Sequence, residues 1–285
     1  MPEGRVLAEE LRELPLRILP AAVLRASRPA ASGQGAARLI ERHARVYRRT
    51  WGMLVSGFFE PLFYLLSIGI GLGKLVGSVT GPDGRPVAFT AFVAPALLAT
   101  SAMNGAVADS TFNVFFRMKY AKLYDAALAT PMRSGDIAAG EVGWALIRGG
   151  IYAAAFMAVM ALLRLITSPW AALDVPAALL VGFAFAGAGM AATTYMRSWQ
   201  HFEFIMLATV PMFLFSTTFY PLGVYPRALQ IVIECTPLYQ GVLLIRGLTL
   251  GVVGPALLGS AAYLATLGAA GLALAGRRIG SLLLR

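Results

Sequence analysis

Read for hydrophobic and polar positions, the chain alternates long apolar runs with short polar gaps. A helix needs about 20 residues to cross the hydrocarbon core of a bilayer. Six runs reach that length, at 51–73, 89–108, 137–163, 172–195, 202–220 and 252–276, and each is predicted as a membrane-spanning helix. Between the fifth and sixth lies an apolar segment broken by Pro221, Pro226 and Pro237. Its pieces, 228–234 and 238–250, are too short to cross, so they predict a re-entrant or interfacial helical hairpin. The alternative is one extra full span, which would move the C-terminus to the other side.

Two polar gaps carry helical patterns of their own. Over 34–50, Ala37, Ile40, Ala44, Tyr47 and Trp51 form one stripe, while Arg38, Arg42, Arg45, Arg48 and Arg49 cover much of the rest. A basic amphipathic helix just before a span lies flat among the headgroups; packing on a partner protein is the competing reading. Between the second and third runs, Phe116, Tyr120, Leu123, Tyr124 and Ala127 recur at helical spacing, with Lys119, Lys122 and Asp125 on the other face. Thr130-Pro131 ends this helix, because a residue before proline is biased away from helical angles. The layout is therefore a loosely ordered lead-in at 1–33, an interface helix at 34–50, a transmembrane domain at 51–276 and a tail at 277–285.

Composition agrees with the pattern. Of 285 residues 58% are hydrophobic and 13% charged, against about 25% charged in a soluble domain. The net charge of +10 does not point to nucleic acid, because the basic residues flank apolar runs. Eighteen of the 24 Lys and Arg fall on the side of the N-terminus, five on the other side, and Arg148 inside a span. By the positive-inside rule both termini and the second loop are cytoplasmic. Cys235 is the sole cysteine, which rules out an internal disulfide and a cysteine-based metal cluster.

Few residues carry chemistry. GIGLGK at 69–74 fails as a phosphate loop, with Ile68 in place of the first glycine and Leu75 in place of Ser or Thr; Gly69 and Gly73 instead permit close helix packing. The small residues of the fourth run, Gly182 to Ala192, serve either bundle packing or a seam between copies. His43 and His201 are isolated. Glu60 and Arg148 lie well inside spans, at equal depths of roughly 14–17 Å, and are candidates for an intramembrane charge pair; the competing reading is that each bonds separately to backbone groups or cavity water. Glu141 lies one turn into the third span. Phe58, Phe59, Phe63, Tyr64, Phe213 and Phe215 are candidates for a substrate path, although aromatic residues in spans more often serve packing.

Three segments resemble one family: EPLFYLLSIGIGLG from Glu60, the stretch from Ala94 to Gly149 around NVFFRMKYAKLYDAALATPMRSGDIAAGE, and FYPLGVYPRALQIVIECTPLYQGVLLIRGL from Phe219. The chain resembles the permease subunits of type-2 ABC exporters, most closely nodulation-factor exporter permeases and related drug and polysaccharide export permeases. The resemblance implies an all-α polytopic fold of six spans with an N-terminal interface helix, a cytoplasmic coupling helix and an extracellular re-entrant hairpin. It implies a bacterial inner-membrane location, a second permease copy (homodimer or heterodimer) and a separate ABC ATPase subunit that holds ATP and Mg, with no cofactor on this chain. It also implies that Phe116, Arg117, Tyr120, Leu123, Tyr124 and Ala127 couple to that ATPase. Family members often carry a histidine after the last Pro-Leu, where this chain has Tyr239 and Gln240, so no role is transferred there. The expected function is export of an amphipathic substrate: a lipo-oligosaccharide, a lipid-linked glycan or a hydrophobic drug. The rivals are a membrane transferase, which calls for paired carboxylates or a His-Asp cluster at one face, and an ion-coupled transporter, which calls for repeated halves.

Overall fold

The structure is a computed structural model that describes residues 34–49, Gly52, Phe59 and 62–283. The segment 1–33, Trp51, Phe58, Glu60 and most of the first half of the first run lie outside the described residues.

The chain is mostly helical. Helix α1 is Gln34–Arg49; α2 consists of wide π-type turns over Leu65–Leu72 that lead into Gly73–Val76. A two-stranded antiparallel ribbon follows, β1 (Ser78–Thr80) and β2 (Pro86–Ala88), with Val79 opposite Val87. This ribbon adds to the all-α architecture expected. Its turn is built by Gly81-Pro82-Asp83-Gly84: Gly84 takes φ +79°, and Asp83 Oδ1 accepts from the Arg85 amide at 3.2 Å. Helix α3 runs Phe89–Lys119, followed by α4 (Leu123–Leu128), α5 (Ser134–Leu162), α6 (Asp174–Thr193), α7 (Phe202–Phe215), α8 (Arg227–Glu234), α9 (Pro237–Leu250) and α10 (Pro255–Leu283).

Among the described residues, α3, α5, α6 and α10 are long and apolar enough to cross a membrane. Helices α8 and α9 reach that length only together, and they meet at 84°, a broken pair of the kind the prolines predict. The fifth run yields 14 helical residues in α7 rather than a full-length span. It ends where the Ser216 hydroxyl folds back onto the Phe213 carbonyl at 2.9 Å and Thr217 turns to φ +60°. Helix α10 continues through 277–283, so the expected tail is helical there.

Helix α6 is the central post and packs on α3, α5, α9 and α10. Its small residues are used within the chain. A Cβ on Gly187 would lie 2.4 Å from the Gly268 carbonyl oxygen, and one on Gly271 would lie 2.4 Å from the Gly187 carbonyl carbon. Only glycine lets these two backbones meet so closely. At the other side of the bundle, a Cβ on Gly73 would meet Thr90 Oγ1 at 2.8 Å, so α2 lies tight against the start of α3.

Candidate functional site

Two layers of buried ion pairs lie at one end of the bundle, where α1, the end of α3, α4 and the start of α5 meet. Glu141, two turns into α5, is buried. Its carboxylate accepts from the Tyr124 hydroxyl at 2.9 Å, from a terminal nitrogen of Arg117, and lies 3.3 Å from His43 Nε2. That Nε2 is also 3.4 Å from Arg117 Nη1. It either donates to Glu141 or accepts from Arg117, and does one at a time. Four elements thus converge on one carboxylate. Burial, and then the Glu141 charge, push the Tyr124 phenol well above its ordinary pKa, so Tyr124 is a permanent donor.

A second charged layer lies deeper. Arg148 on α5 meets Asp109 on α3 at 2.5 Å and donates to the Tyr47 hydroxyl of α1 at 3.1 Å. Asn113 donates to the same Asp109 oxygen at 2.8 Å. Trp144 stands between the layers, its ring 5.9 Å from His43 and 5.1 Å from Tyr47.

Both layers follow from sequence spacing and helix direction. Helices α3 and α5 run antiparallel, and each carries its acid before its base: Asp109 then Arg117, Glu141 then Arg148. Acid therefore faces base at both levels. Residues seven apart, as on α5, nearly align on an α-helix, whereas residues eight apart diverge by about 80° at 100° per residue. The π-type turns Asp109–Asn113 wind less per residue and bring Asp109 and Arg117 back onto one face. Glycines set α1 in place: Cβ atoms on Gly140 and Gly143 would come within 2.9 Å of Leu39 and Ile40.

This geometry revises several expectations. The buried face of α1 is centred on Gly35, Leu39 and His43, and Ala37 is exposed, because α1 lies on the glycine face of α5. The single helix expected over Phe116–Ala129 is broken: Phe116 and Arg117 end α3, and Lys122 at φ +46° separates them from α4. One face becomes three environments. Arg117 and Tyr124 turn inward to Glu141. Leu123 and Ala127 pack half-buried on the core. Phe116 and Tyr120 stay exposed, at 53% and 57%, in an aromatic cluster with Trp199, whose ring is 6.0 Å from that of Tyr120. The carboxylate set against Arg148 is Asp109; Glu60, the partner expected, lies outside the described residues. Asp109 was missed because it stands one residue past the predicted end of the second span.

The described aromatic candidates do not form one cluster, and Phe213 packs half-buried against the core. Phe59 stacks on Phe63 at 5.7 Å, Tyr64 meets Phe213 edge-on at 6.5 Å, and Phe215 lies 6.0 Å from Tyr225. Phe59, Phe63, Tyr64 and Phe215 are exposed, and Phe58 lies outside the described residues.

A bundle of apolar spans with a charged joint at one end and a broken helical pair near the other is that of a polytopic membrane protein. Residues 36–250 match the family model described as ABC-2 type transporter, and the chain belongs to that family. It is 35% identical over 201 residues to Nodulation protein J of Rhizobium leguminosarum bv. trifolii, covering 70% of this chain and 74% of that protein. It is 33% identical to the same-named protein of Rhizobium leguminosarum bv. viciae, over 70% and 75% of the two chains. For that of Rhizobium meliloti the identity is 32%, over 70% and 74%. No solved structure matches the chain. The protein is the membrane component of an ABC-2 type transporter. The family implies in general an ATP-hydrolysing partner and pairing of permeases.

Proposed function

We propose that this chain is the permease subunit of an ATP-driven exporter, moving an amphipathic substrate out of the cytoplasm or the inner leaflet. The substrate is a lipo-oligosaccharide, a lipid-linked glycan or a hydrophobic drug, the classes that the resemblance to type-2 exporter permeases implies. ATP and Mg are held by a separate ABC ATPase, and a second permease copy completes the path. Both termini and the joint face the cytoplasm, as the distribution of Lys and Arg favours.

The observation that carries this reading is the joint. A force applied to the exposed Phe116–Tyr120 corner meets a rigid block, because Arg117 and Tyr124 on either side of it are tied through Glu141 to α1 and α5. Movement of that corner therefore moves the cytoplasmic ends of the two longest described helices next to it, α3 and α5, together. The test is co-expression with its cognate ABC ATPase, followed by purification in detergent through a tag on this chain. An ATPase retained on the permease, and hydrolysis stimulated by it, is the expected result. A permease that purifies folded and alone, and catalyses no ATP-dependent transport in vesicles with that ATPase, would overturn it.

A further inference from the structure

The end of the bundle opposite the joint holds a buried cation of another kind. Arg246 on α9 is 6% exposed. Its Nε donates to the Phe92 carbonyl at 3.1 Å, its Nη2 to the Thr217 carbonyl at 2.7 Å and its Nη1 to the Thr217 hydroxyl at 3.3 Å. The guanidinium lies over the Phe92 ring, 3.7 Å from its centroid. Among the described residues no carboxylate is within ion-pair distance. A guanidinium has five N–H groups. Three are engaged, which leaves one on each terminal nitrogen.

Arg246 lines a cavity of about 480 Å³ between the ribbon turn, the start of α3, the segment after α7 and α9. The rest of its wall is largely apolar, with Pro82, Phe92, Leu222, Val224 and Leu243. The backbone is shaped around the cation. Thr217, a β-branched residue, takes φ +60°, a conformation such residues rarely adopt, and that turn aims both its carbonyl and its hydroxyl at Arg246. Phe92 stands one turn from the start of α3, so the cation sits about 5 Å inside the end of that helix, near one end of the bundle. A desolvated cation with free donors beside an apolar wall selects an anion that carries a chain.

We infer that this cavity binds the phosphate of a membrane glycerophospholipid, with Arg246 as its cation and an acyl chain along the Leu222–Leu243 wall. The inference goes beyond the exporter reading and needs only that the chain sits in a membrane. An N–H left free on a terminal nitrogen of Arg246 donates to a phosphate oxygen, and the apolar wall disfavours a free anion that brings no chain.

The test uses the full chain purified in a neutral maltoside detergent, with bound ligand counted by native mass spectrometry. The probes are dioctanoyl phosphatidic acid, dioctanoylglycerol with the same chains and no phosphate, and inorganic phosphate with no chain. Phosphatidic acid is expected to bind one per chain, at least about tenfold tighter than either of the others, the scale of one charge-assisted hydrogen bond. Arg246→Gln is expected to lower phosphatidic acid to the level of dioctanoylglycerol. Because Arg246 also holds Thr217, a second variant leaves it untouched: a Cβ on Gly223, in the cavity wall, meets nothing within 4 Å, so Gly223→Trp fills the space. Gly223→Trp that melts like the parent chain and binds phosphatidic acid about tenfold more weakly supports the site. Equal binding of phosphatidic acid and dioctanoylglycerol, inorganic phosphate as tight as phosphatidic acid, or unchanged binding by folded Gly223→Trp would each overturn it.

Discussion

The two ends of the bundle bury charge in opposite ways. At the joint, two acids and two bases from α3 and α5 neutralise one another, and α1 and α4 add a histidine and two phenols. At the far end, Arg246 is held by two carbonyls, one hydroxyl and a ring, while the buried Asp174 of α6 accepts from Thr249 on α9 and makes no ion pair with Arg246 among the described residues. Desolvating a charge costs several kcal/mol in either setting unless compensated. The joint compensates with side chains from four elements, so its strength depends on all of them staying together. The far end compensates mostly with backbone, so its strength depends on a loop conformation and leaves part of the cation unclaimed.

The sharpest way to break the comparison is to remove the hub of the joint. Glu141→Ala strands Arg117, His43 and Tyr124 around a buried hole. A loss of about 3–5 kcal/mol is expected, the cost of breaking a buried ion pair from one side. Thermal unfolding in detergent reads it, and Glu141→Gln, which keeps the shape and one acceptor, should lose less. A melting temperature unchanged by Glu141→Ala would mean that the carboxylate is not the hub.

The deeper layer comes next. Asp109→Asn and Arg148→Gln should each destabilise, and the double variant should recover part of the loss, with a coupling of about 1–3 kcal/mol. Asn113 and Tyr47 remain to satisfy the neutral amides, which is why the effect is smaller than at Glu141. Strict additivity of the two losses would show that the pair contributes no more than its separate hydrogen bonds.

The far end should respond differently. Thr217→Gly deletes a hydroxyl bonded to Arg246 but keeps the carbonyl bond and relieves a strained φ of +60°. Glycine adopts that region without penalty. The gain and the loss are of similar size, so stability should shift by less than about 1 kcal/mol. A larger loss, of the Glu141 scale, would make the far-end clamp a side-chain lock like the joint.

Sequence pattern located the helices better than the chemistry. The runs at 89–108, 137–163, 172–195 and 252–276 each fall on a helix long and apolar enough to cross a membrane, since such a helix must be apolar whatever it packs against. The prolines after α7 marked the 84° break for the same local reason. The ribbon, the early end of α7 and the break at Lys122 were not legible, because each hangs on a few backbone angles. Of the joint, Glu141 and Arg148 stood out as charges in apolar runs. Their pairing was not legible, because Asp109, Arg117, His43 and Tyr47 lie in segments where polar residues are ordinary, and Arg117 entered only through the family resemblance. The antiparallel order, acid before base on both α3 and α5, was the readable signal.

The smallest expected effect on stability is the one that bears most on function. Tyr120 projects from the corner between α3 and α4, more than half its surface open, and its ring meets those of Phe115, Phe116 and Trp199. Tyr120→Asp takes nothing from the Glu141 hub and breaks no buried bond, so stability should move by less than about 0.5 kcal/mol. If the Phe116–Tyr120 corner docks an ATPase, the same change places a charge in an apolar contact, where losing one aromatic anchor typically costs about 2 kcal/mol or more of binding. The variant should therefore melt like the parent chain yet fail to retain the ATPase in detergent or to stimulate its hydrolysis. Leu123→Asp is the wrong probe for this purpose, since Leu123 packs on the core and its loss mixes folding with docking. A folded Tyr120→Asp chain with full ATP-dependent transport would move the docking surface elsewhere on the joint and leave the hub with a purely structural role.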